Sequence, residues 1–178
     1  LTMARQQPTK TEEANINDIV STAVDVARYG DLGNEVTIEC DLSDTLPHCI
    51  ADSDQITQVV LNLILNAEHA IRDSGRGDKI IARTEFDKTS GTIRIEIEDN
   101  GPGIPEAHQS RIFEPFYTTK DVGDGTGIGL TLSHRIIRSH DGQIKLDKTF
   151  TSGTRFQITL PSHLSAGESS ATGAGEKP

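Results

Sequence analysis

Residues 15–162 predict a two-layer α/β sandwich, with a mixed sheet of about five strands carrying three helices on one face. Apolar residues recur at helical spacing in three segments and at every second position in five others. Because each predicted strand alternates apolar with polar residues, one sheet face meets a core and the other meets water. Three amphipathic helices are available to cover that single apolar face.

The elements follow in order. Ile16, Ile19, Val20, Ala23, Val24 and Ala27 mark the first helix, with Asn15 or Asn17 available as its N-cap. Val36, Ile38, Cys40 and Leu42 alternate as a half-buried strand. A long helix is expected from Asp52 to about Asp73, striped by Ile56, Val59, Val60, Leu63, Ala67, Ala70 and Ile71 and stopped by Gly75. Two strands come next, one through Ile80, Ala82, Thr84 and Phe86 and one through Ile93, Ile95 and Ile97, joined by a turn at Asp87 to Gly91. Residues 100–125 show neither period and are rich in Gly and Pro, which makes them a long loop of the kind that is functional or disordered. A helix from about Thr126 to Ser139 is stopped near Gly142, and the last strands run through Ile144/Leu146 and Phe156/Ile158/Leu160.

The flanks are of another kind. Residues 1–14 are polar and read as a linker or a frayed helix end; residues 163–178 hold no hydrophobic anchor beyond Leu164 and read as a disordered tail or linker. The chain opens at Leu1, which is read as the sign of a piece cut from a longer protein. Composition narrows the function. The 17 Lys+Arg against 27 Asp+Glu give a net charge of −10, which disfavours a nucleic-acid backbone as partner. Trp is absent and aromatics are 4 %, too few for base-stacking platforms. No apolar run approaches the roughly 20 residues that cross a bilayer, so no direct membrane contact is expected. Two cysteines, Cys40 and Cys49, are too few for a disulfide framework and fit a reduced, cytoplasmic compartment.

Several polar residues sit badly in a plain core. Asp99 continues the inward row of Ile93, Ile95 and Ile97, where a carboxylate costs several kcal/mol unless donors reach it. Thr154 holds the same place in register with Phe156 and Ile158. On the long helix Asn62, Asn66, His69 and Asp73 fall on one stripe less than about a fifth of a turn wide, at about 100° per residue. Singly, Asp99 could cap a loop and the Asn stripe could be a solvated edge. Together they border one layer and point to a shared polar ligand. The loop names its chemistry: Asp99-Asn100-Gly101-Pro102-Gly103 opens it, and Gly123-Asp124-Gly125-Thr126-Gly127-Ile128-Gly129-Leu130 closes it into a helix start. Glycines that turn N–H groups inward, next to a helix N-terminus, suit phosphate. No Gly-Lys-Ser/Thr follows and the GxGxxG spacing fails, so neither a Walker loop nor a dinucleotide fingerprint is present.

Five blocks in order then carry a resemblance: Asn62-Leu-Ile-Leu-Asn66-Ala67, Asp99-Asn-Gly-Pro-Gly103, Ile112-Phe113-Glu114-Pro115-Phe116, Gly125-Thr-Gly-Ile-Gly129-Leu130 and Gly153-Thr154. Over about residues 15–162 the chain resembles the catalytic, ATP-binding domain of two-component sensor histidine kinases, within the GHKL family of gyrase- and Hsp90-type ATPases and their Bergerat fold. The wording Phe113-Glu-Pro-Phe-Tyr-Thr-Thr-Lys120 is most similar to the nitrogen-sensing and PAS-linked subgroup. The resemblance implies that Asp99 accepts a hydrogen bond from the adenine amine, with Thr154 beside it through a water. It implies Mg²⁺ on the Asn66 amide oxygen, Asn62 and His69 on the same wall, and Gly101 and Gly103 at the adenine floor. Gly125, Thr126, Gly127, Gly129 and Leu130 are implied for the phosphate end, with Lys120 reaching the γ-phosphate. Phe113 and Phe116 are implied to dock a lid, about residues 101–126, on the domain that bears the phosphorylated histidine.

One position separates subfamilies. The ATPase relatives place a glutamate base four residues before the metal-binding asparagine; Asn62 stands there and cannot take a proton. This favours a kinase over an ATP-driven clamp, with a nucleotide-binding regulatory module as the other rival. The acceptor histidine is expected on a separate hairpin domain, with a response regulator downstream and the fragment itself monomeric. His140-Asp141 is the sole His-acid pair and reads as a helix-capping segment; His48, His108, His134 and His163 read as surface or loop residues. Cys40, His48 and Cys49 are a poor metal set at that spacing.

Overall fold

The computed structural model describes residues 10–30, 36–117 and 127–163. In chain order these form β1 (Glu12–Ala14), α1 (Ile16–Gly30), β2 (Thr37–Leu42), β3 (Cys49–Ala51), α2 (Ser53–Ser74), β4 (Lys79–Asp87), β5 (Thr92–Asp99), α3 (Glu106–Gln109), α4 (Gly129–Ser139), β6 (Gln143–Leu146) and β7 (Thr154–Pro161). Five strands make one mixed sheet in the order β2-β4-β5-β7-β6, with β2 parallel to β4 and the other pairs antiparallel. Helices α1, α2 and α4 lie on one face, with α2 between the other two. The expected sandwich and its five strands are therefore present.

Local chemistry explains the boundaries. Asn15 caps α1: its Oδ1 accepts from the backbone N–H of Asn17 at 2.9 Å. Asn17, the other candidate, instead accepts from the Thr84 hydroxyl at 2.7 Å and donates to the Ser43 carbonyl at 2.8 Å, fastening α1 to the sheet. Asp52 caps α2, and Gly75 ends it in a left-handed conformation with φ 61°. Inward residues of β5 and β7 are buried without interruption, and Ile95 pairs with Ile158 across the two strands under α2. Outward, Glu98 accepts from Arg83 on β4 and from Arg155 on β7, each at 2.6 Å.

Three differences from the sequence reading have physical causes. Residues 12–14, read within a linker, form β1 and pair antiparallel with β3, burying Ala14 and Cys49. Three-residue strands are too short to display a period. Cys40 is exposed, although it alternates in sequence with the buried Ile38; it lies on β2, an edge strand of the sheet. His140 does more than close a helix: its ring is buried at 5 % exposure.

Candidate functional site

A cavity of about 1040 Å³ opens between α2, the inner ends of β5 and β7, the 100–105 loop and the start of α4. Its α2 wall is the polar stripe Asn62, Asn66, His69 and Asp73, and Asp99 and Thr154 stand at its sheet side. Strand register brings the last two together: Asp99 and Thr154 are directly paired partners at the ends of β5 and β7. Residues from positions 62 and 154 thus meet at one volume because α2 crosses the sheet where β5 and β7 end.

Asp99 is 5 % exposed, and its Oδ1 accepts from the backbone N–H of Gly101 at 2.8 Å and of Thr154 at 3.2 Å. Burial pushes its carboxyl above the usual range, against those donors and the Thr154 side chain, which pull it down. A carboxylate has about four acceptor positions, so these donors leave acceptor capacity on Asp99, which lines the cavity. Gly153 is forced to be glycine, since a Cβ there would stand 1.9 Å from the Asp99 carbonyl oxygen. At Gly129 an added Cβ would stand 2.5 Å from Asn62 Oδ1, so the start of α4 lies directly against the Asn62 side chain. Asn62 also donates from Nδ2 to the Ser133 hydroxyl at 3.1 Å.

Of the sequence-derived site residues, Asn62, Asn66, His69, Asp99, Gly103, Gly127, Gly129, Leu130 and Thr154 line this cavity. Gly101 lies behind Asp99 and acts on it through its N–H. Lys120, Gly125 and Thr126 lie outside the described residues. The two aromatic candidates part ways. Phe113 turns inward, its ring 6.2 Å edge-on from Phe156 and 5.7 Å from His134, whereas Phe116 is 76 % exposed with φ 64°.

Sequence reasoning missed part of the wall. His108, read as a surface or loop residue, lines the cavity from α3 with Tyr117, and the two side chains are hydrogen-bonded. Arg111 stacks over the Tyr117 ring at 4.3 Å. The signal for them is slight, because both fall in a segment with neither helical nor strand period.

Taken together, a sandwich open at one edge, with a buried acid at one end and an amide wall beside a helix N-terminus at the other, defines a nucleotide-binding domain. The comparisons with known proteins agree. The family described as histidine kinase-, DNA gyrase B- and HSP90-like ATPases matches residues 51–164. Sensor histidine kinase ZraS of Salmonella typhi is 38% identical over 152 residues, covering 84% of this chain and 31% of that protein. Sensory histidine kinase/phosphatase NtrB of Rhodobacter capsulatus is 36% identical over 166 residues, 87% of this chain and 45% of that one. Among solved structures, the nucleotide-free catalytic domain of histidine kinase ThkA superposes with a TM-score of 0.73 at 28% identity, over 86% of this chain and 96% of that domain. The chain belongs to this family, as an ATP-binding catalytic domain of the sensor histidine kinase kind. It spans about a third of the length of ZraS, 31%.

Proposed function

We propose that residues 15–162 bind Mg·ATP in the cavity and present its γ-phosphate to a histidine on a separate hairpin domain of the parent kinase. One observation carries the reading: Asp99 on the sheet side and Asn62 and Asn66 on the α2 wall line one cavity, which supports a carboxylate for the base and amides for the phosphate end. The donor set fits the ligand. Asp99 Oδ2 suits the exocyclic amine of adenine, with Thr154 beside it through a water. The Asn66 amide oxygen suits a hard divalent cation, and Gly127, Gly129 and Leu130 suit phosphate at a helix start. When bound, Mg²⁺ offsets part of the phosphate charge that would otherwise face an acidic protein. Asn62 offers no base for activating water and is already committed to Ser133, so the γ-phosphate is held rather than hydrolysed. His69 and Lys120 supply contacts at the phosphate end. The lid, about residues 101–126, docks the hairpin through Phe116, with Phe113 as its inward strut. The parent kinase acts in the cytoplasm and passes phosphate to a response regulator, and the fragment alone is a monomer.

Calorimetric titration with a non-hydrolysable ATP analogue, with and without Mg²⁺, tests this. Asn66→Ala is expected to remove mainly the Mg²⁺-dependent part of binding, and Asp99→Asn to abolish binding under both conditions. A parent chain that binds no nucleotide sinks the reading.

A further inference from the structure

Several hydrogen bonds that nucleotide binding leaves unused converge at the end of α2 remote from the Asn66 wall. Asp52, a buried carboxylate, accepts on Oδ1 from the Gln55 backbone N–H at 3.1 Å as the N-cap of α2. Its Oδ2 accepts from the backbone N–H of Lys10 at 3.0 Å, just ahead of β1. Its own N–H donates to Nε2 of His140 at 3.0 Å, at the C-terminal end of α4. Because Nε2 accepts, the ring proton sits on Nδ1, which donates to the Ile136 carbonyl at 2.8 Å. Three parts of the chain, separated by 42 and 88 residues, are thereby tied to one side chain and its backbone.

The bond between Asn62 and Ser133 is a second pin between the same two helices. Asn62 lies about 15 Å of helix beyond Asp52, and Ser133 about 10 Å before His140. Apolar packing is non-directional and leaves a helix some freedom to slide. A hydrogen bond weakens steeply off its geometry, so two of them at different heights fix both slide and tilt. What they fix is felt at the cavity, where a Cβ on Gly129 would stand 2.5 Å from the Asn62 Oδ1.

We propose that Asp52 and His140 are positioning residues: their bond sets the register of α4 against α2 at the nucleotide cavity. Through Lys10, the strand that leads into the domain is held by the same carboxylate. The binding readout of this proposal rests on the nucleotide reading above; the register claim does not.

The test compares His140→Ala, His140→Gln and Lys10→Pro in the full chain. Glutamine places a carbonyl oxygen where Nε2 stands and keeps the Asp52 bond, while proline deletes one N–H at an exposed residue. Two quantities are read: affinity for a non-hydrolysable Mg·ATP analogue, and the side-chain amide NMR resonance of Asn62. His140→Ala is expected to weaken affinity more than about threefold, with about tenfold as the ceiling that one such hydrogen bond sets, and to move the Asn62 resonance. His140→Gln restores both to within about threefold of the parent, and Lys10→Pro moves both less, in the same direction. If folded His140→Ala shows only a lowered Tm, with affinity and resonance unmoved, the proposal is overturned. Should His140→Ala not fold, His140→Leu decides, since it fills the buried site but offers no acceptor to the Asp52 N–H; an unmoved Asn62 resonance in it overturns the proposal. A parent that binds no nucleotide defeats the function proposed above, and the Asn62 resonance alone then settles the register.

Discussion

Asp99 is a costly residue to bury, and the proposed function gives that cost a purpose. Its carboxyl is pushed up by burial, so the folded state takes a proton at a higher pH than the unfolded chain does. Its contribution to stability therefore falls as pH rises through that interval and is least favourable at neutral pH, where both states are ionised. Asparagine at 99 keeps an oxygen for the N–H groups of Gly101 and Thr154 and removes the buried charge. It also points an NH₂ at the place where an adenine amine needs an acceptor. Asp99→Asn is expected to leave the Tm of the nucleotide-free protein within about 3 °C of the parent or above it, while calorimetry detects no nucleotide. A variant that unfolds at neutral pH would assign Asp99 to the fold instead. This residue was legible in sequence because strand parity alone puts it in line with Ile93, Ile95 and Ile97. His108 and Tyr117 were not, since an aperiodic loop gives no parity to read.

At the scale of an element, β5 sets two neighbouring acids to opposite uses. Asp99 faces the cavity and Glu98 the open face of the sheet, one residue apart. Burial raises the Glu98 carboxyl too, but hydrogen bonds and charge from Arg155 and Arg83 outweigh it and hold the group below the usual range. The sign is therefore reversed: Glu98 stabilises the fold above its ordinary pKa, and that contribution is lost as pH falls through the lowered one. Glu98→Gln is expected to cost about 1 kcal/mol at neutral pH, where one charged acceptor is exchanged for a neutral one. Below about pH 4.5 the variant and parent should converge in urea denaturation. A gap that persists unchanged to pH 3 would show that packing, not charge, carries the effect. The alternation of β5 was plain in the sequence; the ladder of Arg83, Glu98 and Arg155 was not. Which outward residues face one another depends on a register fixed by pairing partners far along the chain. The same limit hid β1 and β3, each too short to show a period, and the bond from Asp52 to His140, which joins two helix ends 88 residues apart.

For the whole molecule, the question is what the domain presents to the rest of a kinase. Phe116 holds a large apolar ring in water at 76 % exposure, on a backbone with φ 64°. Neither feature helps an isolated domain, since left-handed geometry costs a residue with a Cβ about 1–2 kcal/mol. Its N–H donates to the Gly127 carbonyl at 3.0 Å, and Ile128, next along the chain from Gly127, is itself 46 % exposed. Phe113, two residues before Pro115, is turned the other way, against Phe156. The inner aromatic anchors the segment, and under the proposed function the outer one is the ring offered to a partner. Phe116→Gly separates the fold from the docking role, because glycine accepts the backbone angle and deletes the ring. The variant is expected to be as stable as the parent or more so, and to bind the ATP analogue unchanged. Phosphate transfer to a separately supplied histidine-bearing hairpin of the parent kinase, read as acid-labile phosphate, should drop about tenfold or more, as loss of a buried aromatic anchor predicts. Transfer at the parent's rate would remove Phe116 from the docking surface and leave its strain without a purpose.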